Sequence, residues 1–328
     1  MFTRRNRRLK AAAIQIPDEV GWGLGLALGA ALISGLSVYL NGFAVKQLPD
    51  AAVYTTLKNA VAALILIVAA IGLGAARDIV TIERRHWPAV LGVGVVGGSV
   101  PFILFFTGLA QASAPSAAFI QKTLFLWVAL LAVPFLGERL GTASVLGLLI
   151  LLVGQALVLP PERIEWGSGE TLILAATLLW AAETVIVKRL LGSIPSRVMA
   201  ALRMGIGLVV LIGYLAVSGK VGVVAELGPM QWGWVLLTGL VLAGYVATWF
   251  AALQRAPASI VTSVLVPGAV VTGALTAVSK GTAPSVTVVA GYLLIVAAVA
   301  LILATSAAAA HSLAASARER VPLDTAVG

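Results

Sequence analysis

Cysteine is absent, and histidine occurs only at His86 and His311. Disulfides and thiolate metal sites are therefore excluded, and a His/Cys-ligated catalytic metal is close to excluded. Charge is scarce as well: Asp, Glu, Lys and Arg make up 11% of the 328 residues, whereas 60% are hydrophobic. No water-soluble surface of this size tolerates that balance, because its exterior would be largely apolar. The chain must be solvated by lipid. There is also no Walker-type Gly-rich loop, so nothing in the sequence cradles the phosphates of ATP. The net charge of +9 would suit nucleic acid only on the basic face of a soluble fold, and here the charges sit almost wholly between apolar blocks. We read the charge as membrane topology and expect no nucleic-acid partner.

What the chain does contain is a series of apolar blocks. A hydrocarbon core about 30 Å thick needs about 20 helical residues at 1.5 Å rise. Such blocks recur between short charged or Pro/Gly-marked turns. They predict spans at Val20 to Phe43, Ala51 to Leu73, Pro88 to Leu109, Pro115 to Phe135 and Thr142 to Leu159, then Gly169 to Leu191, Ser196 to Ser218, Gln231 to Leu253, Pro257 to Ser279 and Pro284 to Thr305. The expected fold is an all-α integral membrane protein of ten transmembrane helices. Its parts are a basic N-terminal segment (1–19), a first five-helix repeat (20–159), a linker (160–168), a second five-helix repeat (169–305) and a tail (306–328) rich in Ala and Ser, read as disordered.

Arg4, Arg5, Arg7, Arg8 and Lys10 look like the start of a signal peptide, but the apolar stretch from Val20 is long enough to span and shows no clear cleavage site. The expectation is a retained first span. With the N-terminus inside, Arg77, Arg84, Arg85, Arg139, Lys188, Arg189, Arg197, Arg255, Arg318 and Arg320 join the N-terminal cluster in the cytoplasm; the opposite side holds only Lys46, Arg163, Lys220 and Lys280. The positive-inside bias then makes both termini cytoplasmic.

The two halves repeat. Leu57-Lys58 in span two answers Leu202-Arg203 in span seven, each after a basic residue near the end of the preceding span, Lys46 or Lys188. Pro115 opens span four as Pro257 opens span nine, which sets Glu138 opposite Lys280. Gly147-Leu-Leu-Ile matches Gly291-Tyr-Leu-Leu-Ile in spans five and ten. Five helices is an odd number, so successive copies enter the membrane from opposite sides, the inverted-repeat plan of secondary transporters with a site between the halves.

On these residues the chain resembles the EamA-type carriers of the drug/metabolite transporter superfamily. The likeness rests on Lys58 and Arg203 early in spans two and seven, Leu136-Gly137-Glu138-Arg139-Leu140 closing span four, Trp180 with Val187-Lys188-Arg189 in span six, and Pro267 in span nine. It extends over roughly Val20 to Thr305. Two departures stand out: Ser279-Lys280 replaces the Gly-Glu pair usual at the end of span nine, and Phe125 stands where span four often has a proline matching Pro267. The resemblance implies an exporter or exchanger of small metabolites in a bacterial-type inner membrane, one that works by alternating access without ATP.

An ionisable group at the centre of a span costs about 2.5–3.5 kcal/mol and needs a partner or a water-filled cavity. Lys58, Lys122, Glu183 and Arg203 are such groups. Glu183 and Arg203 lie within reach on consecutive spans, and the repeat predicts an Asn41/Lys58 contact in the same place in half one. The Glu183/Arg203 pair either ties two helices together or lets Glu183 couple proton flow to transport. Lys122, beside Gln121 and Thr123, has no acid in its own span. It either snorkels to the interface or holds an anionic substrate group. Lys58 and Lys122 together favour an anionic or zwitterionic substrate, such as an amino acid or organic acid, with Asn41 and Trp180 as further lining.

Trp22, Trp87, Trp166, Trp232 and Trp234 fall near span ends, as an interfacial belt would. Gly21, Gly25 and Gly29 in span one, and Gly92, Gly94, Gly97 and Gly98 in span three, read as close-packing positions. Pro101 and Pro267 inside spans read as kinks or hinges. A membrane enzyme acting on lipid-linked substrates would need an acid/base or metal cluster that the short, acid-poor loops do not supply, and a sensor would need an output domain. No cofactor is implied. The substrate's identity, the direction of flux and the oligomeric state are not encoded in any motif.

Overall fold

The computed structural model describes residues 2–109, 111–112, 114–158 and 165–319, and these form helices throughout: α1 (Phe2–Gln47), α2 (Ala51–Gly72), α3 (Ala75–Val80), α4 (Trp87–Gly98), α5 (Val100–Leu109), α6 (Ala114–Lys122), α7 (Leu124–Leu136), α8 (Thr142–Val158), α9 (Ser168–Leu190), α10 (Ser196–Val217), α11 (Pro229–Arg255), α12 (Ala258–Val264), α13 (Gly268–Lys280) and α14 (Val286–Glu319). Leu159, the expected linker up to residue 164, and residues 320–328 lie outside the described part. Among the described residues, nine stretches are long and apolar enough to cross a membrane, three of them (spans three, four and nine) built from two consecutive helical pieces. The tenth, α8, is 17 residues long, about 25 Å at 1.5 Å per residue. Each of the ten corresponds to one of the predicted spans.

Both terminal helices outrun their apolar stretches. α1 begins at Phe2 rather than near Val20, and α14 continues to Glu319 where a disordered tail was expected from Ala307. Ala, Arg, Lys and Leu are strong helix formers, so a helix already nucleated in the membrane propagates past the apolar boundary.

The halves are related element by element. α2 and α10 both have 22 residues, and α7 and α13 both have 13. The last two end at Gly137 and Gly281, with φ of 68° and 62°, a left-handed turn that glycine makes without steric cost. This shared ending corrects the sequence register in spans four and nine by two positions. Gly281 is the partner of Gly137, so Thr282, not Lys280, is opposite Glu138. Likewise Thr123, not Phe125, is opposite Pro267, and both mark the break between the two pieces of their span. The prolines were a misleading anchor, since Pro257 precedes the first residue of α12 while Pro115 lies within α6.

Glycines set the closest helix approaches, though not all those expected. A Cβ at Gly21, Gly25, Gly29 or Gly92 would meet nothing within 4 Å, so this stripe does not face a helix. In span three, Gly94 meets Ile206 and Gly97 meets Glu183 as expected, and glycine meets glycine at Gly35 against Gly268, Gly98 against Gly207, Gly108 against Gly169, and Gly154 against Gly291. The last pair locks α8 to α14, and spans five and ten pack together away from the central cavity.

The end of the molecule where α1 enters and α14 leaves the membrane is shut by polar bonds between helices. Glu138 accepts from the backbone N–H groups of Ala258 (2.6 Å) and Ser259 (3.1 Å), and from the Ser259 hydroxyl. Lys188 donates to the carbonyls of Leu253 (2.6 Å) and Ala256 (2.9 Å) at the end of α11. Gln254 accepts from Ser196 N–H and donates to Leu191 O. Ion pairs Arg197–Asp78 (2.7 Å) and Arg255–Glu19 (3.3 Å) lie at the same end.

Candidate functional site

Between the halves lies a cavity of about 630 Å³, lined from every span except five and ten. It runs from Lys46 and Ala112, at the end opposite the termini, down to Glu183 and Arg203. Asn41, Lys58, Gln121, Lys122, Trp180, Glu183 and Arg203 all line it. The sequence placed these residues on five different spans, and the fold brings them to one space.

Its floor is the Glu183–Arg203 ion pair. Arg203 Nε lies 2.7 Å from Glu183 Oε1, and its Nη2 donates to Oε2 at 3.4 Å. Nη2 also donates to Gly97 O at 2.8 Å, an acceptor shared with the Trp180 indole N–H at 3.2 Å. This carbonyl is free for a reason written in the sequence. Proline has no N–H, so Pro101 cannot complete the helical bond to the residue four before it, which is Gly97. Span three breaks at Ser99, with Pro101 buried in the first turn of α5. Gly97 is also required by space, because a Cβ there would overlap the Glu183 carboxyl. Pro101 thus supplies an acceptor as well as a bend.

Half one repeats this contact with weaker chemistry. Lys58 Nζ donates to Asn41 Oδ1 at 3.1 Å, and the Tyr54 hydroxyl donates to the same oxygen at 2.5 Å. Asn41 Nδ2 is bound in turn by Ser37 O at 2.6 Å. The Lys58 ammonium stands over the rings of Tyr54 and Phe106, at 5.1 and 5.3 Å from their centroids. Lys58 is only 5% exposed. It has no acidic partner among the described residues, and Asn41 takes one of its three possible bonds. Lys122, at the end of α6, has no hydrogen bond or ion pair among the described residues. Glu183 is the one carboxylate on the cavity wall among them.

Thr123 does not join its neighbours in the wall. Its hydroxyl donates to Ile120 O at 2.6 Å and accepts from the Trp127 indole N–H at 3.0 Å, closing the break between α6 and α7. Pro267 holds the matching break in span nine, as the residue before α13.

Several lining residues had no sequence signal strong enough to pick them out. Phe102, Phe105 and Phe106 bring an aromatic wall, with Phe102 and Phe105 rings 5.3 and 5.7 Å from Trp180. Tyr245 and Trp249 stack at 6.1 Å between centroids. Tyr54, which holds Asn41 without itself lining the cavity, was legible in principle, since it lies four residues before Lys58 and so on the same helix face.

A mostly apolar cavity that holds a few charged side chains and is enclosed by two inverted helical halves is the architecture of a membrane carrier. The model of the EamA-like transporter family matches residues 21–159 and again 167–304. The chain belongs to that family, within the drug/metabolite transporter superfamily, and is a multi-pass membrane transporter. Comparison with curated protein sequences gives no match. Among solved structures, one described only as "Crystal structure of protein" is similar, with a TM-score of 0.70 and 19% identity over 85% of this chain and 98% of that one. At that identity the likeness supports the fold alone.

Proposed function

We propose that this transporter is a secondary carrier for a small organic anion or zwitterion, of the amino acid or organic acid kind, working by alternating access as an exporter or exchanger. The observation that carries the reading is the mismatch of charge on the cavity wall. Arg203 is matched by Glu183, whereas Lys58 and Lys122 face the same space with no carboxylate in contact. Each such ammonium costs about 2.5–3.5 kcal/mol in a bilayer, and a substrate carboxylate would offset that cost while bound. The bidentate Glu183–Arg203 contact supports a structural tie as the role of that pair, and proton coupling through Glu183 is the outcome to be looked for in its variants. The positive-inside bias supports both termini, and the shut end, facing the cytoplasm, and membership of the carrier family supports the inner membrane as the location. A lipid-linked enzyme finds no support, because a lone, paired carboxylate offers no acid/base couple.

Ligand stabilisation tests the reading without knowledge of direction. A solute that binds only the folded protein raises stability by RT ln(1 + [L]/Kd), about 2.7 kcal/mol at a hundredfold excess over Kd. Amino acids and organic acids screened by thermal unfolding in detergent should include stabilisers whose effect is lost in Lys122→Met and in Lys58→Met. Equal stabilisation of wild type and both variants would remove these lysines from the site.

A further inference from the structure

The matched contacts Asn41/Lys58 and Glu183/Arg203 fix how span one superposes on span six, since Asn41 occupies in half one the place of Glu183 in half two. In that register Lys46 is the counterpart of Lys188. The two lysines are in opposite conditions. Lys188 is bonded to Leu253 O and Ala256 O, fastening the end of span six to the end of span eight at the shut end. Lys46 is exposed on the rim of the cavity at the other end, with no bond among the described residues. The helix it would reach by the same symmetry is α5, whose last turn ends at Leu109, also on the cavity wall.

Unpaired carbonyls of a last helical turn attract a cation, both as acceptors and through the helix dipole. In an inverted repeat the same device is present at each end, and the two ends alternate. We propose that Lys188 and Lys46 are opposed latches of the transport cycle. Lys188 holds the end bearing the termini shut in the state seen here. Lys46 closes onto the last-turn carbonyls of α5 when the opposite end shuts. The assignment rests on the carrier reading, because only a protein with two access states needs two such latches.

The absence of cysteine makes single-cysteine accessibility a clean readout. Gly42 lines the cavity, and a side chain there would meet nothing within 4 Å. The rate at which Gly42→Cys in the full chain, purified in detergent, reacts with a water-soluble maleimide reports how much of the population is open at the Lys46 end. Lys188→Gln should slow that reaction by about tenfold, a shift that one lost charge-assisted bond can produce. Lys188→Arg should retain the fast rate. Adding Lys46→Gln to Lys188→Gln should bring the fast rate back, which a purely structural role for either lysine would not do. An unchanged rate in Lys188→Gln, or a double variant as slow as the single one, overturns the proposal. If Lys188→Gln loses its melting transition, Lys46→Gln alone decides: labelling faster than in wild type supports the latch, and an unchanged rate overturns it. Restored labelling in the double variant, in a protein that moves none of the amino acids or organic acids tested, would keep the two access states and their latch and remove the substrate class proposed above. Solute flux without these labelling shifts would remove the latch alone.

Discussion

The floor of the cavity shows how one residue's missing atom organises several others. Pro101 leaves Gly97 O unpaired within its helix, and Arg203 and Trp180 take that oxygen. Arg203 is thereby held at both Glu183 and Gly97, and rings of Phe102 and Phe250 lie 5.9 Å from its guanidinium carbon. Removing one member of a buried pair strands the other and costs about 3–5 kcal/mol. Glu183→Gln and Arg203→Met should each lower the unfolding free energy by that order, and the double variant Glu183→Gln/Arg203→Met should cost less than their sum. Additive losses in a double-mutant cycle would show that the two side chains do not act as a pair.

At the open end, Asp50 caps α2 through Ala52 N–H (2.8 Å) and Val53 N–H (3.1 Å), and it meets Lys220 at 2.7 Å. Burial pushes the Asp50 carboxyl up, but the Lys220 bond and the two N–H bonds outweigh it and hold the carboxyl below its usual 3.8. A lowered native value stabilises the fold above the unfolded value and loses that effect as pH falls through the native one. Asp50→Ala should therefore cost about 0.5–2 kcal/mol at neutral pH, as lost caps do. Its difference from wild type should shrink only below about pH 4, where the unfolded carboxyl protonates. A difference that vanishes already at pH 6, followed by thermal unfolding across pH, would assign the effect to another group.

Helices are where the sequence was most legible and where its small errors lay. Long apolar blocks identified all ten spans, because length and hydropathy are properties of the chain alone. The breaks within spans three, four and nine were not all visible, since Ser99 and Thr123 are not strong breakers by themselves. The glycine stripe of span one shows the same limit. Spacing suggested that Gly25 and Gly29 pack, yet they face open space, and the packing role falls to Gly154 and Gly291. Gly291→Ala would drive a methyl into the carbonyl of Gly154 and the side chain of Val158. It should separate spans five and ten and lower the melting temperature by several degrees, about the effect of 1–3 kcal/mol of overpacking, whereas Gly25→Ala should leave it unchanged. A neutral Gly291→Ala with a damaging Gly25→Ala would reverse this assignment.

The polar ends of the helices are also unequal. Glu138 binds the start of α12, while its counterpart Thr282 carries no carboxylate to do the same for α6. The shut end therefore has a carboxylate fastening, Glu138, that Thr282 does not reproduce at the open end. Glu138→Gln should loosen it, and protection of backbone amides at Ala258 and Ser259 from hydrogen exchange should fall. Unaltered protection there would mean that the carboxylate does not hold the helix.

For the whole molecule, pairing along the chain was easier to foresee than convergence across it. Glu183/Arg203 and Asn41/Lys58 join consecutive spans, and helical spacing alone brings each pair into range. That Lys122, on a broken span, would share a cavity with both pairs depends on how all the helices cross, which no local pattern encodes. The aromatic wall has the same origin. Phe102, Phe105 and Phe106 are ordinary apolar residues until the break at Ser99 aims their helix at Trp180.

The central claim is a carrier whose anion site lies on the half-one wall of this cavity, and flux tests it most directly. Protein reconstituted in proteoliposomes loaded with an unlabelled amino acid or organic acid should exchange it for the labelled solute outside, saturably, with anionic competitors inhibiting. Lys122→Met should abolish that exchange while the variant remains folded. Undiminished exchange in Lys122→Met, or exchange confined to cationic solutes, would contradict the account.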